Sequence, residues 1–359
     1  MTGDAILKIM SHLLSIAKRH GCYKVMWTIC CDVNDSELLR NIMHESLGPD
    51  GGFSYYVFKK LHESRQFSEL LRLGEEFPEE LSVFLKEHPD LLWLHDLFLH
   101  QYSSASETLH ELALAQNVQS TSVAEEGEQE YSKLNLKLSD RKNLLYLSKI
   151  AAFAAGRDAG TQVKVGRIEA DLKILKLQEQ VMEGFPSIKD MQLVEHQLLH
   201  PEDLIKLCLE GEGREFSLWA FDVFAWTSAS FRKVYRRLLE DCWRKAASQD
   251  DWSKLHDSYI VEGWSDEETL QNLKSTILFQ ASSRCYGPGA VTFEEGFDQV
   301  LPLRQENMET PGDTSSSVEA ILMQHKDFPV AGKLMLMAIM LGCEEGGDTT
   351  YEEGPSPME

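Results

Sequence analysis

The sequence predicts an all-α protein: an irregular stack of helices, solenoid-like, that ends in a compact helical module. Three observations predict it. Apolar residues recur at three- and four-residue intervals along most of the chain, with almost none of the period-two alternation of a half-buried strand. Between Phe53 and Ala115 about five short amphipathic segments follow one another, separated by brief Gly, Pro or Ser punctuation. No fixed repeat length links them, which points to irregular helical pairs and away from a consensus array.

The elements follow in order. Ile6, Met10, Leu13, Leu14 and Ala17 make the face of a first helix that Gly21 ends. Tyr23 to Cys31 is a short apolar helix, and Asp35 or Ser36 caps the next, through Leu38, Leu39, Ile42 and Met43. Gly48 to Gly52 is a turn: a phosphate loop would need a preceding strand and a following Lys-Ser/Thr, and both are missing. Tyr55, Phe58 and Leu61 form one face, and Phe67, Leu70, Leu71 and Phe77 another. Pro78 suits the first turn of a helix bearing Leu81, Phe84 and Leu85. Pro89 breaks it, and Leu91, Leu94, Leu97 and Phe98 carry the next. Ser104 and Glu107 read as a capping box before Leu109, Leu112 and Ala113.

Residues 117–133 are rich in Ser, Thr, Gln, Glu and Gly and read as a loop. Asp140 caps a helix ending near Gly156, and a long charged helix follows over 163–183. Leu204, Leu207 and Cys208 make a short helix after Pro201. Phe216, Trp219, Ala220, Val223 and Phe224 form the densest aromatic face, and Phe231, Val234, Tyr235, Leu238 and Cys242 the next. Ser265 and Glu268 are a second capping box, before Leu270, Leu273 and Ile277. After a loop at 305–317, helices near 318–324 and 331–341 close the fold. We place the end of a helical stack at 1–77 and a helical partner-binding module at 78–341. An acidic tail at 342–359 is expected to be disordered, since the last 17 residues hold six acidic and no basic side chains.

The bulk numbers narrow the function. With 359 residues the chain exceeds the ~250–300 at which one core stops growing, which favours two modules or an elongated stack. Thirty-five basic residues stand against 58 acidic, a net charge of −23. That disfavours wrapping nucleic acid or an anionic membrane, which needs a concentrated positive surface. Seven cysteines, an odd number without a C-x-x-C pair, read as reduced thiols. The longest apolar run, Leu334 to Leu341, falls far short of the ~20 residues of a membrane span.

Candidate chemistry is sparse. His196 and His200 stand four apart, a spacing that on a helix can hold zinc, but Gln197 occupies the position where a zinc protease needs its Glu. His95-Asp96 has the types of a base and its orienting carboxylate, yet adjacent residues on a helix do not face each other. No nucleophile motif, phosphate loop or dinucleotide fingerprint occurs, and no cofactor is called for. Arg232, Lys233, Arg236, Arg237, Arg244 and Lys245 read as one basic helix, either a solvated face or a docking surface for an acidic segment. The helix Asn143–Ala155 carries two apolar arcs: Leu144, Leu145, Ala151, Ala152 and Ala155 on one side, and Tyr146, Leu147, Ile150 and Phe153 on the other. A surface helix needs one such stripe. It is either a central core helix, or one arc packs at home and the other docks a partner.

The segments YKVMWTICCDVNDSELLRNIMHESLGPDGGFSYYVFKKLHESRQFSELLRLG, LLWLHDLFLHQYSSASETLHELAL and LSDRKNLLYLSKIAAFAAG resemble the C-terminal helical region of the nucleoporin 133 family, most closely its plant members. RIEADLKILKLQEQ, EFSLWAFDVFAWTS and RRLLEDCWRKAASQDDW continue the family's order of elements. The resemblance implies a stacked-helix fold, no catalysis, and a structural role in the Y-shaped scaffold of the nuclear pore, which supports protein and mRNA transport. It also implies docking to the C-terminal region of nucleoporin 107. The family's interface helix is similar to Leu144–Ala155, which makes Leu147, Lys149 and Ile150 the first expected contacts and Tyr146 and Phe153 the next. The family's N-terminal β-propeller, with which its membrane-facing role is associated, has no counterpart here. Direct membrane contact is therefore not expected from this chain, which reads as a fragment, a truncated gene product or an incomplete gene model. The other readings are a general helical adaptor in a coat or ubiquitin-linked assembly, and a metal enzyme using His196 and His200.

Overall fold

The computed structural model describes residues 3–45, 52–115, 136–185, 197–304 and 317–344, with backbone alone for 3–7, 89 and 90. The expected turn at Gly48–Gly52, the loops at 117–133 and 305–317 and the acidic tail therefore lie largely outside the described residues. Every regular element among those described is helical. The chain divides into two compact units, one up to Leu112 and the other from Ala113. The division falls later than the expected 77/78 boundary. Pro78 opens a helix whose Leu81, Phe84 and Leu85 are buried in the same core as Phe53, Val57 and Phe58, so nothing separates them there.

The first unit holds α1 (Gly3–Arg19), α2 (Tyr23–Val33), α3 (Ser36–Glu45), α4 (Gly52–Glu63), α5 (Phe67–Gly74), α6 (Pro78–Lys86), α7 (Pro89–Phe98) and most of α8 (Tyr102–Leu114). Packing is local: α4 lies against α2, α3, α5 and α6, and α6 against α7. Gly21 ends α1 with φ +63°, and Asn34 ends α2 with φ +51°, the left-handed conformation that Gly and Asn adopt at least cost. Asp35 caps α3, its Oδ1 accepting from the N–H groups of Glu37 (2.9 Å) and Leu38 (3.2 Å).

Three expectations fail here. Leu13 of α1 is exposed, and Leu14 and Ala17 face the core. Phe77 is not on α5, which stops at Gly74; it is the buried residue preceding α6, and Leu73 takes its place beside Leu70. Ser104 is no cap. A left-handed turn at His100 (φ +58°) lets α8 begin three residues earlier, at Tyr102, and the Ser104 hydroxyl donates instead to Asp96 Oδ2 at 2.7 Å.

Asp96 and His95 are both buried on α7, while Phe98 faces out. Neither ring nitrogen of His95 has a hydrogen-bond partner among the described residues. Burial lowers its pKa, only partly opposed by Asp96. The unfolded chain takes up this proton near the ordinary value of about 6.5, and the folded chain resists it. The stability tied to His95 is thus complete above that pH and falls as acid is added. His95→Leu is expected to flatten the loss of melting temperature between pH 7 and pH 5, a comparison that thermal melts across that range make directly.

The second unit holds α9 (Leu138–Ala155), α10 (Ala159–Gly184), α11 (Pro201–Glu210), α12 (Arg214–Ala225), α13 (Ala229–Val234), α14 (Arg236–Ala247), α15 (Trp252–Glu262), α16 (Asp266–Lys274), α17 (Ile277–Tyr286), α18 (Val318–Leu322) and α19 (Phe328–Glu344). Its core gathers Phe221, Phe224, Trp243, Trp252, Phe297 and Met335. The Ser265–Glu268 box is present in both directions, with Ser265 N–H donating to Glu268 Oε2 (2.8 Å) and Glu268 N–H to Ser265 Oγ (3.3 Å). Ile277 belongs to the following helix, because Thr276 caps α17 through the N–H of Phe279.

The expected single basic helix is two. The chain breaks at Tyr235, and its cations point different ways. Arg232 is fully buried and donates to the carbonyls of Phe224, Thr227 and Glu295. Lys245 donates to the carbonyls of Cys208 (3.1 Å), Leu209 (2.7 Å) and Gly211 (2.6 Å), meeting the negative end of the α11 dipole. Arg244 pairs with Asp241 at 2.5 Å and, more loosely, with Glu240. Arg232 and Lys245 thus tie separate elements of the fold together, while Arg244 pairs within its own helix.

At the centre α17 packs on α19. Ser282 Oγ donates to the Ile339 carbonyl at 2.5 Å, and a Cβ at Gly342 would sit 2.5 Å from the Phe279 carbonyl oxygen. Backbone cannot yield as a flexible side chain does. Gly342→Ala is expected to cost ~1–3 kcal/mol by forcing the helices apart, read as a lowered denaturation midpoint at unchanged helicity.

A two-faced helix as candidate protein-docking site

Helix α9 is anchored along one side. Asp140, expected as its cap, is three residues inside the helix start: its carboxylate accepts from the N–H of Lys137, which precedes the helix (3.3 Å). The next residue, the fully buried Arg141, donates to the carbonyls of Ala113 (2.6 Å) and Ala115 (2.7 Å). Both carbonyls stand at the C-terminal end of α8, where no further helical N–H is available to donate to them, and a buried carbonyl needs a donor. Leu145 and Ala152 then pack with Val165, Ile168, Leu172 and Leu175 of α10. Lys142 to Glu179 (2.6 Å) and Lys149 to Glu169 (2.6 Å) flank the seam.

The other arc faces water. Tyr146 is 43% exposed, Leu147 41%, Phe153 52% and Ile150 64%. The structure therefore excludes a central core helix: among the described residues one apolar arc of α9 stays exposed. At about 100° per residue these four side chains form a continuous stripe. Leu144 is half-buried, and Ala155, expected on the packed side, is exposed.

Lys149 sits at the border. Its ammonium is held by Glu169 and lies 5.9 Å from the Phe153 ring centroid. It is available as a rim charge and not as an apolar contact. Beyond Phe153 the stripe runs into a groove of about 360 Å³, walled by Arg157, Thr161, Val165 and Glu169. Gly156 lines the groove between the two helices. Its φ of +153° is one that residues with a side chain rarely adopt, and Asp158 then caps α10 through the N–H of Thr161 (3.1 Å). Those hydrogen bonds hold the Asp158 carboxyl below its ordinary pKa. The groove walls from α10 were not singled out from the sequence; Gly156 followed by an Asp cap was the available signal.

The pair His196 and His200 does not form a helix face. His196 lies outside the described residues, 197–200 are not helical, and His200 precedes α11 with Nδ1 accepting from the N–H of Glu202 (3.3 Å). The buried thiols carry no reactive character: burial pushes Cys208 up to about 12 and Cys242 and Cys285 well above the usual range.

Comparison with known proteins finds relatives of most of this chain. The profile of the Nucleoporin_C family, the C-terminal region of non-repetitive/WGA-negative nucleoporins, matches residues 36–200. The chain is 57% identical to the nuclear pore complex protein NUP133 of Arabidopsis thaliana over 351 residues, covering 97% of this chain and 27% of that protein. It is 24% identical to human Nup133 over 325 residues, 89% of this chain and 26% of that protein. Zebrafish Nup133 is 22% identical over 302 residues, 79% of this chain and 24% of that protein. The chain thus spans about a quarter of the length of these relatives.

Proposed function

This chain is a homologue of the C-terminal part of the Nup133 nuclear pore proteins, and on that premise we propose that it is a non-enzymatic scaffold piece of the pore's Y-shaped complex at the nuclear envelope. It joins that scaffold by docking the C-terminal region of nucleoporin 107 onto the outward arc of α9, and so supports the transport of protein and mRNA through the pore. The observation that carries this reading is one helix with both sides apolar, one side anchored by Arg141 and the α10 seam, the other bare at Tyr146, Leu147, Ile150 and Phe153. Apolar anchors surrounded by a charged rim are the usual distribution of binding energy in a protein interface. Lys149, Glu169 and Arg157 supply such a rim here. The partner-binding module then consists of the second unit, with α9 as its contact element.

The test is to mix the purified chain with the C-terminal region of nucleoporin 107 from the same source and weigh the products by light scattering on a sizing column. A one-to-one complex is the expected result. Two separate monomer peaks would remove nucleoporin 107 as the partner and move the chain to a general helical adaptor with another occupant for the α9 arc.

A further inference from the structure

A second feature of the second unit lies on elements that α9 does not contribute to. A groove of about 820 Å³ runs between α10, α12 and α17. Its floor is aromatic, with Trp219 and Trp226 both half-buried. Its edge is basic: Lys173 and Lys176 are exposed on α10, and the Lys173 ammonium stands 5.6 Å from the Trp226 ring centroid. Arg284 of α17 forms an ion pair with Asp222 within the groove, so that carboxylate is already neutralised. Glu215 is the other acidic lining residue. In a chain of net charge −23, a groove with more cations than anions and two indole faces is an exception that asks for an acidic, aromatic-bearing occupant.

The chain carries such a segment. Residues 345–359 lie outside the described residues and contain Glu345, Asp348, Glu352, Glu353 and Glu359, no basic residue, and one aromatic, Tyr351. Their starting point is close. The last turn of α19 is fixed to α17: Gly342 abuts Phe279 and Ser282, and Cys343 Sγ lies 3.5 Å from the Tyr286 carbonyl oxygen. Ser283 and Arg284, between those contacts in sequence, line the groove. An extended chain advances ~3.3 Å per residue, so these fifteen residues span up to roughly 50 Å. That is ample to cross one helix width of ~10 Å and run the groove. A tethered segment also needs little intrinsic affinity, because its effective concentration is in the millimolar range.

We propose that the groove between α10, α12 and α17 is a docking site for the chain's own acidic segment 345–359, with Tyr351 against Trp219 and Trp226 and the carboxylates against Lys173 and Lys176. The proposal does not depend on nucleoporin 107.

The test uses the full chain carrying Tyr351→p-benzoylphenylalanine, irradiated at a concentration where light scattering shows monomer. Peptide mapping is expected to find crosslinks within one chain to residues 173–180, 215–226 or 283–291. The double variant Lys173→Glu, Lys176→Glu is expected to lower that yield several-fold while leaving helicity and melting temperature unchanged, and 1 M salt should act in the same direction. Crosslinks that join two chains would overturn the proposal in favour of a second copy as occupant. Crosslinks scattered outside the groove, or a yield indifferent to the charge reversal, would overturn it outright.

Discussion

Ile150→Asp and Leu147→Asp are each expected to weaken capture of the nucleoporin 107 C-terminal region at least ~100-fold, with no change in helicity or melting temperature. In the free chain both side chains point into water, so a carboxylate there costs the fold within ~0.5 kcal/mol. In a complex the same position would lose ~1.5–3 kcal/mol of apolar burial and add a desolvated, unpaired charge worth several more. A loss of only ~3 kcal/mol already exceeds a factor of 100. Val234→Asp supplies the control, since Val234 is 76% exposed and belongs to α13, outside both α9 and α10. Sizing-column light scattering and titration calorimetry read the binding, and circular dichroism the fold. If Ile150→Asp unfolds the chain, the arc is core after all. If Val234→Asp is equally damaging, the effect is one of charge and not of place.

The second large effect is on stability. Arg232→Met is expected to cost about 3–5 kcal/mol, a fall in melting temperature of roughly 10 °C for a unit of this size. Replacing a buried ion by an apolar side chain of similar volume is often tolerated, because the desolvation penalty goes with the charge. Here the partners remain. The carbonyls of Phe224, Thr227 and Glu295 stay where they are and lose their donor, and the Phe297 ring loses the guanidinium 5.4 Å from its centroid. Arg232→Lys should recover only part of the loss, since one ammonium cannot reproduce the fixed fork of a guanidinium. Differential scanning calorimetry of the three chains settles it; equal melting temperatures would show that these bonds contribute nothing.

Arg232 also shows where sequence reading stops. Signals in which a residue satisfies its own neighbourhood were legible: the Gly21 stop, the Asp35 cap, Pro78 at a first turn, and the Ser265–Glu268 box. Each is a local exchange between a side chain and a backbone group a few residues away. Signals that depend on distant carbonyls were not. Arg232 and Lys245 read as surface cations because the groups they satisfy include carbonyls far along the chain, Glu295 for Arg232, 63 residues off, and Cys208 to Gly211 for Lys245, 34–37 residues off. Ser104 misled for a smaller reason: its spacing to Glu107 fits a capping box, but the turn at His100 had already started the helix. The candidate site falls between these cases. Two apolar arcs on α9 were visible as periodicity, and which of them faces water required knowing that α10 folds back at Gly156 onto the Leu145 side.

The two ways of packing have a mechanical consequence. In the first unit each helix leans mainly on those one or two places away in the chain. Tension applied along it would be resisted by one small interface at a time, and it should yield by peeling, helix after helix, and re-zip when released. In the second unit α19 is strapped across α17, with Ser282 bonded to Ile339 57 residues further on. Force entering there meets the whole core at once, so that unit should hold and then rupture in a single event. A chain built this way combines an extensible segment with a rigid clasp.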